Sequence, residues 1–503
     1  MTPWWLMPGS SFLLENRIVS SGNESSTRIK RIRETKDDTV LMELFFKPSS
    51  VAVIGASTNS HKDGHVILQN IIDSDFAGEI YPVNPTADEV LGYKAYPSVK
   101  DVPGKVDLAV IIIPARLCIK ALEDCAQKGV QAVIIESMGF TEVGVEGIKL
   151  QEQLVTIAKK NGIRIIGPNC TGIVSRGLTT SFFPMKNVQK GNVALFGQSG
   201  LLAAGMASDI VVNRSLNINK ICSIGNKCDV NENDLLEYFG NDPEIEVISM
   251  YLESISDGVN FVRIAKKVAS IKPVIFLKGG RTDAGAQAAM SHTGSLASNN
   301  RVVDAAIRQT GCIRADDFTE IKDFAKVFST QPVPRGNHVA IVTAAGSVGV
   351  VVSDICAEHG LEIPELSAQT IEKLKDVFPD NMLPANPVDL WYSIEKLGLV
   401  KTLETTLAGP LQDPNIDAAI LILAGMKYTM PVLDENTVQK ITAKYGKPII
   451  VCMLVGYNEY KNRIMEELGK DLPVFTSIIS GVKALSKLCE YGGRQHAKSV
   501  SEL

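Results

Sequence analysis

Short apolar runs rich in Val and Ile alternate along this chain with longer stretches of helical period. That alternation is the β-α-β signature of parallel sheets covered by helices on both faces. Three places share a finer pattern, a strand followed by a Gly-rich turn and a helix. They read VAVIGAS from Val51, VALFGQSG from Val193 and VAIVTAAGSVG from Val339. The near-equal spacing predicts an α/β protein of three doubly wound parallel-sheet domains, each opened by one of these strands. In such sheets ligands bind at the carboxyl ends of the strands, where helix N-termini offer free N–H groups.

Punctuation between the repeats sets the boundaries. IIGPNCTGIVSRG (165–177) closes the first unit with Gly and Pro, and STQPVPRGNH (329–338) reads as a linker. The expected division is an extension at 1–43, domains at 44–172, 173–332 and 333–494, and a tail at 495–503. The polar, charged stretch from Arg17 to Asp38 predicts a disordered extension. Met42, just before the first strand, is a candidate translation start. The N-terminus lacks a basic start and is interrupted by Pro8, Glu15 and Asn16, so it is a poor signal peptide.

Composition changes this picture by exclusion. A net charge of −5 without a basic cluster argues against a nucleic-acid groove. No apolar run is long enough for a membrane span. The nine cysteines are scattered, with no C-x-x-C and no zinc spacing, which fits free thiols in a reducing cytosol and a cytoplasmic protein.

Candidate chemistry sits at the predicted strand ends. The turn Gly55, Ala56, Ser57 lacks the full G-x-G-x-x-G, and the second strand ends in Asn84-Pro85 where a dinucleotide site wants a carboxylate. An NAD enzyme is therefore disfavoured, and a phosphorylated ribose such as that of coenzyme A is permitted. Pro114 and Arg116 end the third strand at the same edge. On these residues alone, CoA, another nucleotide and no ligand all stay open. Gln198, Ser199 and Gly200 open a helix that suits a phosphate, although Ser199 also reads as an ordinary N-cap. Leu201 occupies the last glycine position of a hydrolase elbow and excludes it. Glu253 ends a strand, either as a solvated acid or as a partner for an imidazole. His292 lies in KGGRTDAGAQAAMSHTGSLASNN (278–300), which reads as a small-residue loop. It is either a structural histidine or a phosphoryl acceptor.

In order along the chain, FFKPSSVAVIGAS, IYPVNP, GPNCTGI, GQSG, IGNKCDVNENDLLEYF, YLESISDG, LKGGRTDAGAQAAMSHTGSLA and NPVDLW resemble the α subunit of ADP-forming acyl-CoA synthetases (acetate–CoA ligase, ADP-forming). These are relatives of succinyl-CoA synthetase. The resemblance runs from about residue 42 to 490. It implies a Rossmann-like CoA-binding domain followed by two flavodoxin-like ligase domains. It implies that His292 is transiently phosphorylated, with Glu253 supporting it. Gln198, Ser199 and Gly200 would cradle the phosphoryl group, and Gly55, Ala56, Ser57, Asn84, Pro85 and Pro114 would edge the CoA site. It sets ESMGFTE (136–142) near the thioester end of CoA.

The implied reaction converts a small carboxylic acid, CoA and ATP reversibly to acyl-CoA, ADP and phosphate. An acyl phosphate forms, His292 exchanges phosphoryl with it, and the CoA sulfur attacks the acyl group. Mg²⁺ would accompany the nucleotide. No P-loop occurs in the chain, and the family's nucleotide site lies in an ATP-grasp module. The resemblance thus implies a separate ATP-grasp β subunit in an α2β2-like hetero-oligomer that binds ATP or ADP. The turn TAAGSVGV departs from the family's usual T-N-A-G-G-P-G at Ala344, Ser347 and Val348. The alternative is a non-catalytic CoA-binding or regulatory protein on the same scaffold, and the presence of His292 argues against it.

Overall fold

A computed structural model describes residues 35–183, 191–200, 216–293, 300–425, 440–456 apart from 442, and 472–501. The first unit carries β1 (Ser50–Ile54), β2 (Glu79–Val83), the small hairpin β3 (Glu89–Val90) and β4 (Tyr93–Lys94), then β5 (Leu108–Ile111), β6 (Ala132–Ile135) and β7 (Arg164–Ile166). Its sheet is parallel in the order β2-β1-β5-β6-β7. The second unit has the hairpin β8 (Ile173–Ser175) and β9 (Leu178–Thr179), then β10 (Val193–Gly197), β11 (Ile218–Ser223), β12 (Val247–Leu252), β13 (Val274–Lys278) and β14 (Ile313–Ala315). The third has β15 (Val339–Thr343), β16 (Val388–Asp389), β17 (Ala418–Gly425), β18 (Ile449–Gly456) and β19 (Val474–Phe475).

Each opening strand lies inside its sheet, paired in parallel with the two strands that follow it. Hairpin aside, all three sheets therefore have the order 2-1-3-4-5, the flavodoxin-like winding, with its switch point between the first and third strands. The β8–β9 hairpin extends the second sheet antiparallel to β11. The opening strands are buried at every position, as parallel strands covered on both faces must be.

Two expectations about the ends need correction. The helix Thr35–Phe46 begins inside the stretch expected to be disordered, and Met42, Phe45 and Phe46 are buried. Phe46 stacks on Tyr238 of the second unit at 5.2 Å between ring centroids. The apolar face supplied by these residues outweighs the polar composition before them. At the other end, the helix Ile478–Ser501 runs through most of the expected tail. It packs on the helix Phe318–Thr330, with Phe328 edge-on to Tyr491, and so gives the second and third units a common core.

The first and second units are locked by a polar joint. Arg164 on β7 is buried and pairs with Asp229 at 2.9 Å and Asp234 at 3.2 Å. Burial works against the guanidinium's charge, but Asp234 and Asp229 outweigh it. Alongside, the backbone of 226–230 pairs with that of 165–168. Glu136, at the end of β6, is buried against the same joint, and a Cβ on Gly172 would come within 2.5 Å of its Oε1. Neither of its carboxyl oxygens has a hydrogen-bond partner among the described residues. Burial pushes this carboxyl well above its ordinary range, and the Asp63 charge pushes the same way.

Arg164→Leu should leave two half-buried acids without their buried partner and cost about 3 kcal/mol. Urea unfolding followed by far-UV dichroism measures it. A loss under 1 kcal/mol would show that the joint does not depend on the ion pair. Glu136→Gln should act in the opposite direction. The native state holds the Glu136 proton more tightly than the unfolded chain, whose glutamate value is about 4.3. Wild-type stability is then fully present below that value and falls as pH rises towards the native one. Glu136→Gln should therefore melt higher than wild type at pH 7.5, with the gap closing near pH 4, in paired thermal scans.

Candidate active site

The first candidate edge is built by backbone geometry. Gly55 follows β1 with φ of +102°, in the region where a Cβ is strained. A Cβ there would also lie 2.3 Å from the Ile112 carbonyl oxygen at the end of β5. Glycine thus lets the turn close onto the switch point. Asn84, after β2, holds the turn from the other side. Its Nδ2 donates to the Ala56 carbonyl at 2.7 Å, while its Oδ1 accepts from the Thr86 and Ala87 amides. The Ser57 hydroxyl accepts from the Asn59 amide, and His65 Nδ1 meets the Ser57 carbonyl at 2.8 Å. Pro85 is exposed, and exposed Pro114 caps the helix Ala115–Lys128. The six residues expected here all lie at one edge. Asn84 acts on the turn itself, since its side chain is occupied by backbone groups.

The second edge lies at the carboxyl ends of β10, β12 and β13. Gln198 follows β10 and is buried. Its Oε1 accepts from the amides of Glu253 at 2.8 Å and Ser254 at 2.9 Å, and its own amide donates to the Tyr251 carbonyl. The Gln198 side chain therefore fixes the segment that presents Glu253. Gly200 lies against Thr171, so close that a Cβ would come within 2.4 Å of the Thr171 methyl. Glu253 is buried, and Tyr251 donates its hydroxyl to Glu253 Oε1 at 3.2 Å. Burial raises the Tyr251 phenol beyond its ordinary range, and the neighbouring Glu253 charge adds to it. Gly279 makes room for this pair, since a Cβ there would come within 2.6 Å of the Tyr251 hydroxyl.

The stretch read as a loop around His292 is different in the structure. Asp283–Thr293 is a helix. Alanine, glutamine and methionine over 286–290 favour helix, and Asp283 in the first turn suits the positive end of its dipole. His292 lies on the helix's last turn. Its side chain, and residues 294–299, lie outside the described residues. The helix starts after the Gly279–Gly280 pair, with Gly280 at φ +69°. It packs on the turn Thr141–Val143 of the first unit, which brings the Glu136–Glu142 segment to the helix that carries the histidine.

Sequence reasoning named the motif that joins the two edges but gave it no task. Asn226 donates to Glu142 Oε2 at 2.7 Å, while Glu142 Oε1 accepts from the Gly139 and Phe140 amides. Burial pushes the Glu142 carboxyl up, but these hydrogen bonds hold it below its ordinary value. The next residue, Lys227, has φ of +46° and donates to Glu232 and to the Ser254 carbonyl. A positive φ at a lysine is rare, but only the folded chain shows it. Among the described residues no helix is long and apolar enough to cross a membrane.

Comparison with known proteins agrees with this layout. Family models match as a CoA binding domain (49–176), a succinyl-CoA ligase like flavodoxin domain (190–328) and a Ligase-CoA domain (339–482). The chain is 39% identical over 436 residues to the α subunit of ADP-forming acetate–CoA ligase II from Pyrococcus furiosus, covering 85% of this chain and 93% of that one. It is 38% identical over 462 residues to ADP-forming acetate–CoA ligase II from Archaeoglobus fulgidus, covering 90% of this chain and 67% of the longer relative. An acetyl-coenzyme A synthetase 1 from Ca. Korarchaeum cryptofilum, solved with phosphate and ADP, superposes with a TM-score of 0.84. It is 34% identical, with 92% of this chain and 99% of that one covered. On this fold, these strand-end turns and these relatives, the chain belongs to the ADP-forming acetate–CoA ligase family as an α-subunit-type member.

Proposed function

We propose that this chain is the α subunit of an ADP-forming acyl-CoA synthetase in which His292 carries a phosphoryl group between nucleotide and acid. The reading rests on one observation. The Gln198–Gly200 turn and Glu253 follow the neighbouring strands β10 and β12 at one sheet edge, and the next strand, β13, leads into the helix whose last turn bears His292. Backbone N–H groups of the Gln198–Gly200 turn would receive phosphate oxygens. Glu253 would hold one imidazole nitrogen, leaving the other free to accept phosphorus.

Towards acyl-CoA, the γ-phosphoryl group of ATP passes to His292, and ADP leaves. The acid's carboxylate takes the phosphoryl group and becomes an acyl phosphate, which restores the neutral histidine. The CoA sulfur then attacks the acyl carbon and expels phosphate. The Gly55–Ser57 turn, Asn84, Pro85 and Pro114 would edge the CoA site. The small acid would sit between the two edges, near Glu136–Glu142. Binding of ATP and Mg²⁺ is assigned to an ATP-grasp β subunit, in an α2β2-like assembly in the cytoplasm. The family's naming of α subunits supports a partner chain.

Phosphoryl transfer tests the reading directly. With the ATP-grasp partner, Mg²⁺ and γ-labelled ATP, the wild-type chain should take up acid-labile, base-stable label, and His292→Ala should lose it by more than 100-fold. Equal labelling of His292→Ala would assign the phosphoryl group elsewhere. No label in the wild type, with CoA still bound, would favour the non-catalytic CoA-binding reading. The CoA edge has its own test. Gly55→Ala should weaken CoA binding at least tenfold by calorimetry while label still forms on His292. Unchanged CoA affinity would move the CoA site away from this turn.

A further inference from the structure

Two lysines are buried beside Glu253 where solvated side chains are the rule. Lys278, the last residue of β13, is 2% exposed. Its ammonium donates to the Glu253 carbonyl at 2.7 Å and to the Gly279 carbonyl. Lys227 is nearly as buried, with its side chain 6% exposed. It donates to the Ser254 carbonyl at 2.6 Å and pairs with the fully buried Glu232 at 2.8 Å. The other Glu232 oxygen accepts from the Ser256 amide at 2.5 Å. With Gln198 on the amides of Glu253 and Ser254, four side chains from four parts of the second unit grip the backbone of 253–256.

Packing alone does not explain this choice. Burying an ammonium group is costly, and an apolar side chain of similar volume would fill the space without that cost. Burial lowers the pKa of both lysines, while the Glu253 charge opposes that shift in each. Among the described groups that face Glu253 are Tyr251 on β12, Lys278 on β13, Lys227 after β11 and the Gln198 side-chain amide after β10. Further out, Glu232 balances Lys227, and Arg314 on β14 acts on Lys278.

We propose that Lys227 and Lys278 are positioning residues for phosphoryl transfer: they hold the backbone that presents Glu253 and set two positive charges beside its carboxylate. This rests on the reading that Glu253 supports a phosphorylated His292. The lysines' ammonium groups meet backbone carbonyls and, for Lys227, Glu232. Removing either charge should therefore make phosphoryl transfer more sensitive to acid.

The test is the rate of label transfer to His292 from pH 5.5 to 8.5, in the complex with the ATP-grasp partner. Lys278→Gln keeps a donor for the Glu253 carbonyl and removes only the charge. Lys227→Met combined with Glu232→Gln removes the buried pair together, so that no uncompensated charge remains to unfold the chain. In both, the acid limb of the profile should move up by roughly 0.5–1 pH unit, with CoA affinity unchanged. A uniform loss at every pH, or an acid limb that stays in place, would reduce the lysines to structural props and overturn the proposal. A wild-type chain that takes no label would overturn this proposal and the phosphohistidine reading together. A wild-type chain that labels beside unmoved variants would overturn this proposal alone.

Discussion

One short turn, Gly225–Lys227, fixes the relation between the two candidate edges. Its backbone lies against Pro168 and Asn169 so tightly that a Cβ on Gly225 would come within 2.3 Å of both carbonyl oxygens. From that seat Asn226 reaches back to Glu142 in the first unit, and Lys227 reaches forward to Ser254 in the second. Two candidate edges that belong to separate sheets are thereby held by consecutive residues. A shift of the first unit against the second would strain buried hydrogen bonds to charged groups, which are among the stronger polar contacts a protein makes. Arg164 and its two aspartates close the same joint a few ångströms along the chain.

Chemistry that moves an acyl group and a phosphoryl group between edges needs such a joint. Reacting atoms gain most when they are held close and aligned. The helix Asp283–Thr293 leaves the second unit's sheet after two glycines and packs against the first unit's Thr141–Val143 turn. The histidine is thus borne by an element that touches both units, while the carboxylate proposed to support it is gripped from within one. Rigid support for Glu253 and a glycine-flanked helix for His292 are complementary. The first conserves geometry, and the second supplies the backbone freedom that glycine uniquely allows.

The sequence made the architecture legible because its signal is repeated. Three strand–turn–helix openings at similar spacing map onto β1, β10 and β15, each central in a sheet of identical winding. The edge residues were legible for the same reason, since strand ends with Gly, Asn, Gln and Glu are where doubly wound sheets carry ligands. What stayed hidden depends on tertiary context. Small residues around His292 suggested a loop, yet the alanines among them are strong helix formers. The polar start masked a helix whose buried face includes Met42, Phe45 and Phe46, with Phe46 meeting Tyr238 and Phe239 nearly two hundred residues away. Lys227, Lys278 and Glu136 are ordinary surface residue types, and only the folded chain shows them buried.

Those buried charges separate two kinds of polar burial in one molecule. Lys227, Lys278 and Gln198 each bond to the backbone of 253–254, so their cost of burial is offset by bonds that shape the Glu253 segment. Glu136 has no such bonds among the described residues, and its surroundings favour the neutral form. A buried polar group that is satisfied makes a structure more specific, and one that is not weakens it. Glu136 lies at the end of β6, beside the joint and at the head of the segment that meets the histidine's helix. An uncompensated group at that place is not explained by stability. Functional sites are where local rules of stability are commonly broken, and Glu136 stands at the head of the segment whose Thr141–Val143 turn meets the histidine's helix.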